Sequence, residues 1–197
     1  MTLESGLFDV PSGKIPVIVT HLEMRAEAPL KDLALPHGVT FRQVTPTLDW
    51  YRDVFARVGS HDWMWYERLK LDDQALSAIL DDPAVHFFTL SVSGVDEALL
   101  ELDFRQSGEC ELAYFGMTRT LIGTGAGRNL MNEAITHAWD ADITRFHVHT
   151  CTSDSPQALA FYIRSGFTPY KRQVEIDDDP RLSGVLPRSA APSIPII

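Results

Sequence analysis

Cysteine is nearly missing from this 197-residue chain: Cys110 and Cys151 are the only two. That is too few for the disulfide framework of a small secreted domain, and free thiols in a reducing cytoplasm are the simpler expectation. Positive charge is also scarce, with 17 Lys and Arg against 27 Asp and Glu and a net charge of −10. Contacts to a phosphate backbone need a basic face, so a general nucleic-acid binder is not expected. The same field mildly favours cationic small molecules. No apolar run approaches the roughly 20 residues that span a bilayer, so no membrane partner is expected. Residues 1–16 lack the basic patch and apolar run of an export signal, which makes the expected location cytoplasmic. No period of about 20 to 50 residues suggests a repeat protein.

What remains reads as one globular domain with additions at both ends. Hydrophobic residues make up 45% and charged residues 22%, close to globular averages. Segment 1–38 holds one strand-like run at 16–20, preceded by Ile15, and then a loop punctuated by Pro29, Pro36 and Gly38. A strand is predicted over 39–44. From Thr47, apolar residues recur at helical spacing through Trp50, Tyr51, Val54, Phe55 and Val58 until Gly59. A second helix is predicted over 63–71. A third carries Leu76, Ile79 and Leu80, is capped by Asp72 or Asp73, and stops at Pro83.

Strands at 85–92, 98–105 and 109–117 then form an antiparallel meander, joined at Ser93-Gly94 and Ser107-Gly108. A glycine-rich turn opens a helix over 123–139, followed by a strand at 146–152. Ser155 reads as an N-cap with Pro156 at the first helical position, and that helix closes at Gly166. A last strand covers 168–176. The proline-bearing tail 177–197 is expected to be mobile or loosely docked.

The turn Ile122-Gly123-Thr124-Gly125-Ala126-Gly127-Arg128 follows an apolar strand and leads into a helix. Such a turn aims free backbone amides and the positive end of the helix dipole at whatever lies above, which suits a phosphate or pyrophosphate. Arg128 could add a charge-assisted contact. A dinucleotide fingerprint would need a glycine where Arg128 stands, and a P-loop would need Gly-Lys-Ser or Gly-Lys-Thr. Neither is present.

Taken with the stretch Ala158-Leu159-Ala160-Phe161-Tyr162-Ile163-Arg164-Ser165-Gly166-Phe167, the element order over 39–176 resembles the GNAT superfamily of N-acetyltransferases. The resemblance implies an α/β (α+β) fold with a mixed, mostly antiparallel central sheet flanked by helices and with splayed strands at the acyl-CoA site. It divides the chain into 1–38, a GNAT-like domain 39–176 and a tail 177–197. The implied cosubstrate is acetyl-CoA. Its pyrophosphate would meet Ile122, Gly123, Thr124, Gly125, Ala126, Gly127 and Arg128, and its pantetheine arm would run beside the main chain of Phe115 and Met117, where Gly116 permits close approach. Ser155 stands in place of the family's common asparagine as a further cofactor contact, and Ile122 replaces the usual Gln or Arg. The implied partner is a small-molecule or peptide amine, and the resemblance admits a homodimer.

The reaction needs a proton acceptor for the amine and a proton donor for the departing thiolate. The resemblance places Tyr162 as donor and Glu111 as base, from the similarity of Glu111-Leu112-Ala113-Tyr114-Phe115-Gly116-Met117 to the family's glutamate-bearing strand. A carboxylate among apolar side chains is expected to have a raised pKa. Glu101 and Asp103 are reserves, and a water chain could serve instead. His147, His149 and Cys151 alternate onto one strand face, but no further ligand pair follows from spacing and no metal is expected. His149 also reads as a residue of the acceptor cleft or an alternative base. Trp50, Trp63, Trp65 and Tyr66, with Asp62 and Glu67 nearby, read as core or as a cage for a cationic acceptor. The alternative is a non-catalytic acyl-CoA-binding sensor or regulatory module.

Overall fold

Alternating apolar residues and left-handed turn residues organise the centre of the molecule. In the computed structural model, which describes residues 4–197, β3 (Val85–Val92), β4 (Val95–Asp96), β5 (Ala98–Asp103) and β6 (Glu109–Met117) form the expected meander. Ser93 and Gly94 take φ of 50° and 83°, the left-handed pair that a tight two-residue hairpin demands. Around the meander lie β1 (Lys14–Met24), β2 (Val39–Val44), α1 (Leu48–Phe55), α2 (Asp73–Leu80), α3 (Ala126–Trp139), β7 (Arg145–Cys151), α4 (Ala158–Arg164) and β8 (Thr168–Asp178). The eight-stranded sheet runs β2-β3-β5-β6-β7-β1-β8, with β4 pairing β3 off that path. One core cluster joins the sheet to α3 and α4 through Leu130, Met131, Ala134 and Tyr162. A second joins it to α1 and α2 through Tyr51, Val54, Phe55 and Leu76.

The amino-terminal segment is part of this sheet. Strand β1 lies between β7 and β8 and pairs antiparallel with both. Its two faces explain the position: Leu22 and Met24 enter the α3/α4 core, while Ile15 packs on Met64, Leu186, Ala190 and Ala191. A strand apolar on both faces is best used inside a sheet.

Two segments differ from the sequence reading. The helix predicted over 63–71 is reduced to a 3-10 turn, Glu67–Lys70, because Met64 adopts φ 44° and Trp65 docks as a single side chain. Helix α1 passes at Ala56 into a π-helical turn, Ala56–Ser60, instead of continuing regularly. The tail is docked as well. Arg181, 3% exposed, pairs with Asp179 at 2.7 Å and donates through Nη1 to the carbonyls of Ala190 (3.2 Å), Ala191 (3.3 Å) and Ile194 (2.8 Å). One buried guanidinium thus gathers the loop.

Candidate active site

Strands β6 and β7 are the sheet's parallel neighbours, and they pair over three rungs: Glu109 with Arg145, Cys110 with Phe146, and Glu111 with His147. Beyond Glu111 they part. On the other edge, β6 stays paired with β5 through Met117 opposite Ala98, and Ala113 is an extra residue between the Leu102–Leu112 and Glu101–Tyr114 pairs. A bulge of this kind bends its strand and increases local twist. Its result here is a fork in which the β7-facing main chain of 112–117 has no strand partner among the described residues. An unpaired edge can receive an extended, amide-bearing arm as an added strand would.

The glycine turn lies at the end of that edge. Gly123 and Gly125 adopt φ of 82° and 92°, and Gly125 is the N-cap of α3. The Thr124 hydroxyl donates to the Leu121 carbonyl at 2.8 Å and accepts from the Ala126 amide at 3.3 Å. The Arg128 amide donates back to the Gly125 carbonyl at 3.1 Å. The amides of Gly123, Gly125 and Gly127 find no acceptor among the described residues, so the turn offers donors at a helix start. Ile122 is 56% exposed beside them. A Cβ at Gly127 would lie 3.1 Å from Met117 Cε, so this glycine lets α3 close on β6. These donors and the free strand edge fit the pyrophosphate and arm of an acyl-CoA.

Tyr162 is 7% exposed on α4, and its ring lies 6.3 Å from Phe115, 5.9 Å from Phe161 and 6.0 Å from Phe167. Its hydroxyl makes no hydrogen bond among the described residues. Burial, reinforced by the charge of Asp154, pushes its pKa further above the ordinary phenol range. Phe115 stacks on Phe161 at 5.6 Å, and Phe115 and Met117 both turn toward this α3/α4 core.

Glu111 sits on the last rung before the fork. Contrary to the sequence expectation, its carboxyl is held below the usual range: His149 Nδ1 lies 3.3 Å from Glu111 Oε1, and that contact outweighs desolvation. The reserves are engaged elsewhere. Glu101 is fully buried, accepting from Tyr51 Oη and Arg68 Nη2 at 2.5 Å each, and Asp103 clasps Arg105. His147, His149 and Cys151 do share a face, yet among the described residues no three His, Cys, Asp or Glu side chains converge on a metal-sized site.

Trp65 closes the fork on the α1/α2 side. A Cβ at Gly59 would overlap its indole, and one at Gly116 would lie 2.6 Å from Val58 Cγ1 and 3.0 Å from Trp65 Cη2. Gly116 therefore makes room for Trp65 on this face. The indole packs 5.1 Å from Tyr114 and donates from Nε1 to Asp154 Oδ1 at 3.2 Å. Asp154 also accepts from Thr150 Oγ1 at 2.7 Å and from the Cys151 amide at 2.9 Å, so this one carboxylate ties the β7–α4 loop to the opposite side of the fork. Sequence reasoning missed Asp154. Ser155, read as the cap of α4, lies three residues before the helix begins and hydrogen-bonds Gln157, which holds the cap position. Ser155 lines a cleft of about 860 Å³ with Ile18, Thr20, Thr150, Leu159 and Arg172.

The aromatics of the early segments are mostly bound in place: Trp50 Nε1 donates to Asp96 at 2.7 Å and Tyr66 Oη to Asp177 at 2.7 Å. Asp62 is neutralised by Arg119 at 2.7 Å. Glu67 sits beside Tyr114, its carboxylate accepting from the Tyr114 hydroxyl at 3.4 Å, and desolvation raises its pKa.

The acetyltransferase (GNAT) family model matches residues 45–167, more than half of the chain, and the chain belongs to that family. It is 27% identical over 176 residues to a mycothiol acetyltransferase of Jonesia denitrificans, covering 84% of this chain and 54% of that protein. A GCN5-related N-acetyltransferase of Sphaerobacter thermophilus superposes with a TM-score of 0.63 at 16% identity, covering 89% of this chain and 54% of the other. A GNAT family acetyltransferase of Elizabethkingia anophelis with acetyl-CoA bound gives 0.53 at 12% identity, covering 69% and 80%. The chain thus spans about half, 54%, of the length of the first two relatives.

Proposed function

We propose that this chain transfers an acetyl group from acetyl-CoA to a primary amine of a small molecule or peptide by direct attack in a ternary complex. The observation that carries the reading is the fork beyond Glu111, whose free β6 edge leads to the free amides at the start of α3. Acetyl-CoA supplies an electrophilic thioester carbonyl and a thiolate leaving group. The main chain of Phe115 and Met117 holds its arm, the amides of Gly123, Gly125 and Gly127 together with Arg128 hold its pyrophosphate, and Trp65 and Tyr114 wall the acceptor side.

Tyr162 keeps its proton at neutral pH and donates it to the departing sulfur. Glu111 belongs to the group that removes the acceptor's proton. Glu67, Glu111 and Asp154 surround His149 with negative charge, which favours an ammonium-bearing acceptor over an anionic one.

Thiol release from acetyl-CoA, followed against a panel of polyamines, amino acids, aminoglycosides, peptides and amines related to mycothiol, tests the reading. Turnover with at least one amine and an acetylated product of matching mass is expected. Tight acetyl-CoA binding without turnover would replace the transferase with a sensor. Absence of any thermal shift with acetyl-CoA would remove both.

A further inference from the structure

A carboxylate and an imidazole meet at the base of the fork. Glu111 ends the last rung shared by β6 and β7, and His149 stands two residues beyond that rung on the same face of β7. Nδ1 of His149 faces Glu111 Oε1 at 3.3 Å, while Nε2 makes no hydrogen bond among the described residues. The imidazole side chain is 50% exposed and the carboxylate 35%, so the ring is the more accessible of the two. We propose that Glu111 and His149 form one proton-accepting unit, in which the free ring nitrogen of His149 takes the proton from the acceptor's ammonium group and Glu111 orients the ring. The proposal rests on the transferase reading.

The neighbours favour this division of labour. Glu111, with its carboxyl lowered by His149, is a weak base toward an ammonium group, whereas a base works best with a pKa near the operating pH. The groups facing His149 come from five elements. Glu111 lies on β6, Asp154 on the β7–α4 loop and Glu67 on the 3-10 turn; all three act to raise its pKa, with the Glu111 contact the largest cause. His147 lies on its own strand. From β1, His21 approaches to 5.9 Å between ring centroids; its own pKa is lowered by burial, and Lys171 on β8 adds to that lowering.

The rivals are less suited. Asp154 already holds three donors, His147 faces Glu109 at 3.5 Å, and His21 buries an Nε2 that has no partner among the described residues. In the step itself an N–H bond of the ammonium breaks and its electron pair stays on nitrogen. The proton moves to the neutral imidazole, giving an imidazolium beside ionised Glu111, and then leaves to water from the exposed ring edge. Below the raised His149 midpoint the ring is already protonated and cannot accept, so kcat/KM falls with acid.

The test combines imidazole NMR with kinetics. His149 is expected to titrate above the ordinary midpoint of about 6.5, and the acid limb of kcat/KM to share that midpoint. Glu111→Gln should lower both together. His149→Gln should abolish the limb and cut kcat/KM about 10²–10⁴-fold while leaving acetyl-CoA affinity, measured by calorimetry, unchanged. His147→Gln should leave the limb where it is. A His149 midpoint at or below the ordinary value, or a limb that survives His149→Gln, would overturn the proposal alone. Failure of the wild-type chain to turn over any amine would overturn the transferase reading and this proposal together.

Discussion

Replacing Tyr162 by phenylalanine separates a packing role from a chemical one. The ring is 7% exposed and contacts Phe115, Phe161 and Phe167, all of which phenylalanine preserves. The hydroxyl has no partner among the described residues, so its removal breaks none of their hydrogen bonds and opens almost no cavity. The stability change should stay within about 1 kcal/mol, because none of the mechanisms that give large losses operates. For a domain of this size that corresponds to about 2–4 °C in Tm. Loss of a positioned proton donor, by contrast, should lower kcat about 100-fold, equal to roughly 2.7 kcal/mol in the barrier. The assay is thiol release at saturating acetyl-CoA and amine, alongside thermal unfolding and calorimetric titration of acetyl-CoA. An unchanged kcat would make Tyr162 a packing residue. A rate loss matched by a large fall in Tm would assign the effect to folding.

Two further outcomes concern the docked tail and its neighbours. Arg181→Ala leaves Asp179 buried without its guanidinium partner and the Ala190 and Ile194 carbonyls without a donor, and should cost about 3–5 kcal/mol in urea unfolding. A near-neutral result would mean that the tail contributes little to stability. Asp177 is held down to about 2, chiefly by the hydrogen bond from Tyr66 Oη and also by Lys70 at 3.0 Å. Its unfolded value is about 3.9, so its stabilising contribution is complete above that pH and is lost as pH falls through 2. Urea unfolding between pH 5 and 2 should therefore lose stability more steeply in the wild type than in Asp177→Asn; parallel curves would refute the assignment.

Local signals carried most of what the sequence disclosed. Alternation and left-handed hairpin residues define the meander, Asp72 caps α2 through the Ala75 amide at 2.8 Å, and the positive φ of Gly123 and Gly125 explains the glycine turn. Contacts between distant segments were not legible. Nothing local in 14–24 says that the strand enters between β7 and β8, since its pairing depends on residues far along the chain. The helix expected over 63–71 failed because Trp65 found a seat against Gly59 and Gly116, a long-range fit that overrode helical spacing. Glu111 was legible as a site residue, but its pKa direction was not, because the partner that sets it sits on another strand. Likewise, Asp154 gave no sign that it would meet Trp65 across the fork.

On the proposed reading, the β6–β7 fork and the glycine turn hold the acyl-CoA. Backbone amide NMR during titration with CoA locates the binding site residue by residue. Shifts are expected to concentrate at 112–117 and 123–128. Shifts confined instead to the cleft lined by Ile18, Thr20, Leu159 and Arg172, with the glycine turn silent, would contradict it.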